Sequence, residues 1–258
     1  MSEIEIISFW KRFDANKKPF YHPNDKNIIE SKELEYYNIN NYNEFIDHPE
    51  FGHIDGKFHF NLLPVPYTGD IINAKVYILL LNPGFSILDY DMENNKNIRQ
   101  DIINNIRQDF SKIKYPMIWL NPLYLWTGGG QWIESKLKDI IYQVEKVKNI
   151  SYIQSLEYIS QRIALIELVP YHSKIFNLPQ TTLNSLESVV KIKSFINDYV
   201  VNKVKNNDAC IIATRKARDW NLPKDDNIIV YEGSKARGAS LSLNTDGGEK
   251  ILEFILKH

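Results

Sequence analysis

The sequence has little cysteine and no long hydrophobic run, and each scarcity excludes a class of protein. Cys210 is the only cysteine in 258 residues, so an intrachain disulfide framework and a cysteine-rich zinc site are both excluded. The longest apolar run, residues 76–81, is far too short to cross a bilayer. Residues 1–5 lack the basic start and the apolar stretch of a signal peptide. We therefore expect a cytoplasmic protein without a membrane partner.

An excess of charge of one sign is also lacking, because 31 Lys and Arg nearly balance 32 Asp and Glu, for a formal net charge of −1. The total gives no sign of nucleic-acid binding, but local patches decide phosphate contact. What the chain does have is a hydrophobic fraction of 43% and an aromatic fraction of 12%, enough for a sizeable core. No repeat or low-complexity linker divides it, so we expect a single domain and a monomer.

Apolar runs that alternate with helical periodicity predict the fold. Strands are predicted at residues 75–81, 162–169, 209–213 and 228–231. Helices are predicted at residues 4–13, 94–113, 131–147, 152–160, 183–205 and 248–256. The alternation predicts an α/β fold of three layers, α/β/α, around a central, mainly parallel, four-stranded sheet.

The N-terminal quarter is harder to interpret. Residues 1–63 show little clean periodicity, and we expect an irregular or helical extension packed on a core formed by residues 64–258. Residues 58–65 read as an extended segment interrupted by proline. Further along, Thr127 and three glycines are read as a flexible loop or lid, since they match neither known phosphate-loop pattern.

The turn Asn82-Pro83-Gly84 follows the most apolar predicted strand. In a parallel sheet, ligands bind outside the carboxyl ends of the strands. Pro83 stiffens the turn and Gly84 allows backbone angles closed to other residues, which leaves the amide of Asn82 facing a cleft. The alternative is a plain strand-to-loop turn. His172, just after the second predicted strand, would enter the same cleft unless it is a structural histidine.

Two basic segments follow the remaining strands. Arg215 and Lys216 stand where a helix begins, which suits an anion such as phosphate, although a solvated helix face explains them equally well. Residues 233–242 are small, polar and basic and would approach a phosphate backbone; the alternative is an ordinary flexible loop. The chain has no His-Glu-x-x-His, cysteine cluster or Gly-x-Ser-x-Gly, which disfavours a metalloenzyme and a serine hydrolase.

Residues 79–86, Leu-Leu-Leu-Asn-Pro-Gly-Phe-Ser, resemble the first motif of the uracil-DNA glycosylase superfamily. The resemblance is to the mismatch-specific and single-strand-selective branches, in which an Asn-Pro-Gly or similar turn follows the first core strand. Later segments are similar in order to the family's aromatic-bearing helix, two further strands and final DNA-entering loop. Those segments are Gln131-Trp132, residues 166–170, residues 209–217 and residues 228–245. The resemblance covers residues 64–258.

This resemblance implies a uracil-DNA glycosylase-like fold and a monofunctional DNA glycosylase. Such an enzyme hydrolyses the N-glycosidic bond of a flipped-out uracil or modified pyrimidine and leaves an abasic site. Asn82 would hold the attacking water, and His172 or backbone N–H groups would stabilise the departing base. The base pocket would contain Pro83, Gly84, Phe85, Trp132 and Tyr171, where Phe85 either stacks on the base or packs in the core. The DNA contacts would be Ser234, Lys235, Arg237, Ser240, Arg215 and Lys216. The implied mechanism needs no metal and no organic cofactor.

The final-motif stretch departs from the family, because residues 231–235 contain no histidine. Either His172 replaces it or the leaving base is stabilised in another way. The base is therefore open between uracil and a modified pyrimidine, in DNA repair or in defence against modified foreign DNA. Two other interpretations stay open: a non-catalytic nucleic-acid-binding protein on the same fold, and a hydrolase of free nucleosides or nucleotides.

Overall fold

The computed structural model describes residues 4–52, 55–111 and 113–257, and its centre is a mixed five-stranded sheet. The strands are β1 (Tyr67–Thr68), β2 (Val76–Leu80), β3 (Ile163–Glu167), β4 (Cys210–Ala213) and β5 (Ile228–Val230). Their order across the sheet is β1-β3-β2-β4-β5. Strand β1 runs antiparallel to β3, and the other neighbours are parallel.

Strand β2 occupies the middle of the sheet, and all five of its side chains are buried. Its continuous apolar sequence suits a strand that is covered on both faces. Leu80 pairs in register with Glu167 of β3, and Leu79 pairs with Ala213 of β4. The carboxyl ends of these three strands therefore meet at one edge of the sheet.

Helices cover both faces of the sheet, since every residue of β2, β3 and β4 is buried. In chain order they are α1 (Glu5–Trp10), α2 (Lys26–Ser31), α3 (Tyr42–Ile46), α4 (Asp89–Met92), α5 (Lys96–Arg107), α6 (Gly128–Lys148), α7 (Tyr152–Ser160), α8 (Gln180–Ser185), α9 (Glu187–Ser194), α10 (Val201–Lys205), α11 (Ala217–Trp220), α12 (Gly233–Gly238) and α13 (Asp246–Lys257). One group, α6, α7 and α13, packs together and on the sheet, while α1, α5, α9 and α10 form a second group. The predicted α/β class is confirmed.

In the described ranges, no helix is both long and apolar enough to span a membrane.

The four predicted strands are confirmed, but the prediction of a four-stranded sheet was wrong. The fifth strand, β1, has only two residues, Tyr67 and Thr68, which pair with Ile166 and Leu165. A strand this short, with prolines before it and a glycine after it, is too short to show the alternating hydrophobic pattern by which strands are predicted. The extended segment predicted at 58–65 contributes only isolated bridges, from Phe58 to Tyr36 and to Ser173.

The glycines predicted to form a flexible loop are instead the first turn of α6. The hydroxyl of Thr127 accepts a hydrogen bond from the backbone N–H of Gly130 at 3.0 Å, which caps the helix. A side chain at residue 130 would overlap the carbonyl of Tyr124 and lie 2.8 Å from Cα of Leu125. The glycines therefore serve close packing of the helix start, so the prediction of a lid was wrong.

The long helix predicted at 183–205 is also wrong, because the chain divides there. Leu186 adopts an extended conformation (φ −69°, ψ 123°) between α8 and α9. A π-helical turn, Phe195–Val200, then separates α9 from α10. Periodicity alone could not show these breaks, since the apolar spacing continues through them.

The N-terminal segment packs into the same hydrophobic core as the sheet. Ile6, Phe9 and Trp10 of α1 are buried in one cluster with Val76 of β2 and Ile255 of α13. Helices α2 and α3 lie within residues 1–63, which were predicted to be irregular or helical. The boundary drawn at residue 63 stays a prediction.

Candidate functional site

The carboxyl ends of β2, β3 and β4 open into a cleft of about 380 Å³. Its walls come from the turn after β2, the end of β3 and the segment beyond it, the residues after β4, and the start of α6. This position is where open α/β sheets bind their ligands, and the volume lies in the range of small-molecule sites.

Asn82 lines the cleft with its amide held in one orientation. Its Nδ2 donates to the hydroxyl of Ser173 at 3.1 Å, to the carbonyl of Ser173 at 3.3 Å and to the carbonyl of Tyr171 at 3.4 Å. Carbonyl oxygens only accept, so the amide cannot be turned the other way. Gly84 has a φ of +69°, which a non-glycine residue would adopt at a cost. Since Asn82 lines the cleft and its Nδ2 is engaged, we infer that Oδ1 faces the cleft as an acceptor.

Phe85 lines the cleft next to this turn and is fixed from behind. Its ring stacks on His59, with centroids 3.7 Å apart and planes 8° apart. Phe45 packs edge-on against it at 5.2 Å. One face of the Phe85 ring therefore packs inside the protein, which agrees with the alternative that Phe85 packs in the core. Stacking of a base on Phe85 stays a prediction.

His172 also lines the cleft, but both of its ring nitrogens face backbone carbonyls. Nδ1 lies 3.1 Å from the oxygen of Gly84, and Nε2 lies 3.1 Å from the oxygen of Leu63. Burial lowers the pKa of His172, against the raising effects of Glu93 and of the two carbonyls. The predicted role of stabilising a departing base needs a ring N–H that points to the base, and this geometry offers none. The ring of His172 instead packs between the turn at Gly84 and the backbone of Leu63, where a neutral imidazole donates to one of the two carbonyls.

Tyr171 was predicted to form the base pocket, and that prediction was wrong. Its side chain is 2% exposed and points away from the cleft, where its hydroxyl donates to the carboxylate of Asp25 and accepts from the N–H of His22. Asp25 also accepts from the N–H of Ser188 at 3.0 Å. Tyr171 therefore points inward, whereas the next residue, His172, lines the cleft.

Glu167 is a cleft residue that the sequence analysis missed. It is the last residue of β3 and 7% exposed, and its Oε2 is buried without a hydrogen-bond partner in the described part of the chain. Burial raises the pKa of Glu167 well above its ordinary value, against the lowering effect of Arg215. The signal available in the sequence was one acidic residue inside the apolar run 162–169.

Thr68 of β1 is a second polar residue of the cleft wall that sequence analysis missed. It is 2% exposed, and among the described residues its hydroxyl also lacks a partner. No signal could have found it, because β1 itself escaped detection.

Asp89 is a third missed residue, at the start of α4. Its Oδ2 accepts from the backbone N–H of Ser86 at 2.7 Å and lies 3.9 Å from Nδ1 of His172. Burial raises the pKa of Asp89 to about 7, although the Ser86 N–H and the charge of Lys174 act in the opposite direction. The cleft wall therefore includes two carboxyl groups that burial favours in the neutral form.

The start of α6 brings aromatic surface to the cleft. Trp132 lines it as predicted, together with Gly128, Gly129 and Trp119. A side chain at residue 129 would approach the indole of Trp119 to 2.9 Å, so the glycine lets the helix pack directly on that ring. The N-terminus of this 21-residue helix adds a partial positive charge to the cleft.

Cationic side chains surround the mouth of the cleft. Arg215 and Lys174 line it, and the guanidinium of Arg215 donates to the carbonyl of Arg237 at 3.3 Å. Lys136 of α6 donates to the carbonyl of Gly238 at 2.7 Å. These contacts hold the end of α12 beside the cleft. We refer to Lys136, Lys174 and Arg215 as the cationic rim; Arg237 contributes only its backbone carbonyl to these contacts.

The other predicted DNA contacts lie farther from the cleft. Residues 233–238 form helix α12, so the alternative of an ordinary flexible loop was wrong there. Lys235 pairs with Asp246 at 3.4 Å on the surface, and Ser234 and Ser240 are exposed. Lys216 lies 3.7 Å from Asp219 and lines a second depression instead of the cleft.

Comparisons of the chain with protein-family models, with curated proteins and with solved structures gave no match. Its function is therefore inferred from the geometry of the cleft.

Proposed function

We propose that this protein is a DNA glycosylase with a uracil-DNA glycosylase-like fold. It hydrolyses the N-glycosidic bond of a pyrimidine that has been turned out of the DNA stack and leaves an abasic site. The observation that carries the proposal is the fixed amide of Asn82, which presents Oδ1 to a cleft lined by aromatic rings.

Hydrolysis of this bond needs a water molecule held beneath the anomeric carbon. An amide oxygen is too weak a base to remove a proton, but it orients water by accepting a hydrogen bond. Because three acceptors fix the amide nitrogen of Asn82, little orientation remains to be lost when the substrate binds. The geometry thus supports a positioning role for Asn82.

The cleft also suits an everted base. Its volume of about 380 Å³ exceeds that of a bare pyrimidine ring, so a substituted base fits as well. Eversion costs a few kcal/mol, and stacking on an aromatic side chain returns about 1–3 kcal/mol per base. The rings of Phe85, Trp119 and Trp132 are the surfaces available for that stacking.

The cationic rim supports a nucleic-acid polymer as the substrate. The net charge of the chain is −1, yet the three cations of the rim gather around one opening. Such a patch holds the phosphates on either side of the target nucleotide. A second candidate is a hydrolase of free nucleosides, which the cleft volume favours because base and sugar together would fit.

Oligonucleotides that carry a single uracil, thymine or modified pyrimidine test the proposal, with free nucleosides assayed in parallel. After incubation, alkali cleaves abasic sites, and chromatography detects released bases. We expect strand breaks with the wild-type protein, none with Asn82→Ala, and no hydrolysis of nucleosides. Hydrolysis of nucleosides without action on the polymer would favour the second candidate. Gel-shift binding without any base release would favour a non-catalytic binding protein.

A further inference from the structure

We propose that Glu167 gives its proton to the departing base and, together with Thr68, selects bases of the cytosine class, the 4-aminopyrimidines. This inference rests on the proposed function and assigns that site its acid and its substrate class.

The observation behind it is a pair of buried polar atoms without partners. Oε2 of Glu167 and Oγ1 of Thr68 both lack a hydrogen-bond partner in the described ranges, and both residues line the cleft. Thr68 stands opposite Leu165 in the antiparallel pair β1–β3, and Glu167 lies two residues beyond Leu165. Residues opposite each other share a face, and so do residues two apart, so both side chains are on one side of the sheet. Buried groups of this kind are costly unless a ligand pairs with them.

The chemistry of the pair indicates what that ligand offers. A neutral carboxylic acid presents an O–H donor beside a carbonyl acceptor. The pairing edge of cytosine presents the ring nitrogen N3 as an acceptor beside the 4-amino donor, so the two edges match. The edge of uracil also alternates donor and acceptor, so pairing alone does not decide between the two bases.

The chemistry of base departure does distinguish cytosine from uracil. The anion of uracil is the weaker base and leaves without a proton, whereas the cytosine anion is more basic and leaves readily only when it is protonated. A site that places a proton donor in its wall, and whose histidine is committed to backbone carbonyls, is built for the poorer leaving group.

The charged groups around Glu167 agree with a carboxyl group that is neutral before the reaction and ionised after it has given its proton to the base. Arg215, after β4, faces Glu167 and would stabilise the carboxylate formed in the reaction. The other titratable groups of the cleft are Asp89 on α4, and His172 and Lys174 after β3. Burial outweighs Arg215 in the free protein and raises the pKa of Glu167.

Atoms and electrons balance in this step. The C1′–N1 bond breaks, and its electron pair stays on the base. The proton of Glu167 passes to N3 of the base, which leaves as the neutral molecule. Water held by Asn82 forms the new bond to C1′, and the proton that it loses returns through solvent to the Glu167 carboxylate.

Glu167→Gln separates proton donation from base recognition. The glutamine amide keeps one donor and one acceptor, so it still pairs with the base, but it has no proton to transfer. The substrates are purine strands that carry one cytosine, one 5-hydroxymethylcytosine or one uracil. We expect wild-type protein to release a 4-aminopyrimidine at least about 10-fold faster than uracil. In Glu167→Gln, kcat on that base falls at least about 100-fold while KM changes little.

Two further measurements complete the test. The wild-type rate on that base falls as pH rises through the pKa of Glu167, and this limb disappears in Glu167→Gln. Thr68→Val, which removes only the hydroxyl, raises KM more than it lowers kcat. Thermal unfolding confirms that both variants are folded.

The outcomes separate the two proposals. Release of uracil faster than of either cytosine, abolished in Asn82→Ala, overturns the role of Glu167 and leaves the glycosylase proposal standing. Equal kcat values for Glu167→Gln and wild-type protein on a cytosine strand also overturn the role of Glu167 and leave the glycosylase proposal standing. Absence of abasic sites with every strand overturns both.

Discussion

The amide of Asn82 donates a hydrogen bond of 3.1 Å to the hydroxyl of Ser173, which ties the turn after β2 to the segment after β3. His172, the preceding residue, packs against the other end of the same turn, with its Nδ1 3.1 Å from the carbonyl oxygen of Gly84. Two neighbouring residues beyond β3 therefore hold both ends of the turn that offers Oδ1 of Asn82 to the cleft.

We expect Asn82→Ala to lower the rate of base release at least about 100-fold, because the water loses its positioning partner. Ser173→Ala should have a smaller effect, about 10-fold, since two carbonyl acceptors still hold the amide. Asn94→Ala, at an exposed site outside the cleft, is the matched control. Single-turnover rates with DNA and gel-shift affinities are the measurements. Full activity of Asn82→Ala would disprove the role given to this residue.

Removal of the cationic rim should weaken DNA binding and its dependence on salt. Every phosphate that is no longer neutralised reduces the slope of log K against log salt by about 0.7 on a single strand or about 0.9 on a duplex. We expect this from Arg215→Ala, and Arg237→Ala tests whether the exposed helix α12 beside the rim also contributes. Lys235→Ala should do less, since Lys235 already pairs with Asp246.

Lys205→Ala, on α10 at the opposite end of β4, is the control for charge alone. Binding measured from low to moderate salt gives the slopes. If the Arg215 and Lys205 variants show the same slope as the wild-type protein, the rim is not the DNA-binding surface.

Asp89 should make the protein less stable as pH rises. Its pKa is about 7 in the folded chain and about 4 when unfolded, so the folded state binds the extra proton between these values. The stabilisation is fully present below about pH 4 and is lost as pH rises through about 7, by about 4 kcal/mol at most. Asp89→Asn keeps an acceptor for the Ser86 N–H but does not ionise.

Urea unfolding at pH 5 and pH 8 checks this expectation. The free energy of unfolding should fall less between these two pH values in Asp89→Asn than in the wild-type protein. Equal falls would show that Asp89 does not carry the raised pKa.

Gly130→Ala should destabilise the protein by about 1–3 kcal/mol, because the new methyl group overlaps the backbone of Tyr124 and Leu125. Gly238→Ala is the control, since a side chain there has open space around it. Thermal unfolding of the two variants should therefore differ clearly. Similar unfolding temperatures would contradict the close packing of the α6 start.

The central strands could be predicted because their apolar runs are continuous and bounded by polar turns, as in residues 75–81. The start of α6 could not, since glycine is a poor helix former and only the Thr127 cap and close packing place it in the helix. Strand β1 was too short to produce a pattern.

The site was predictable where a residue directly follows a strand, as Asn82 does. Glu167 and Asp89 were missed because their importance comes from burial, which the sequence does not display. Tyr171 was misplaced because the sequence does not say which of two neighbouring residues, Tyr171 or His172, faces the cleft.

The buried carboxylate of Asp25, shared by Tyr171 and Ser188, has a practical consequence for dissecting the molecule. A fragment that starts at residue 64 would leave the phenol of Tyr171 without its acceptor and His172 without the carbonyl of Leu63. The residues that line and support the cleft thus depend on the first quarter of the polypeptide, and we expect a version trimmed of that quarter to lose the geometry of the cleft.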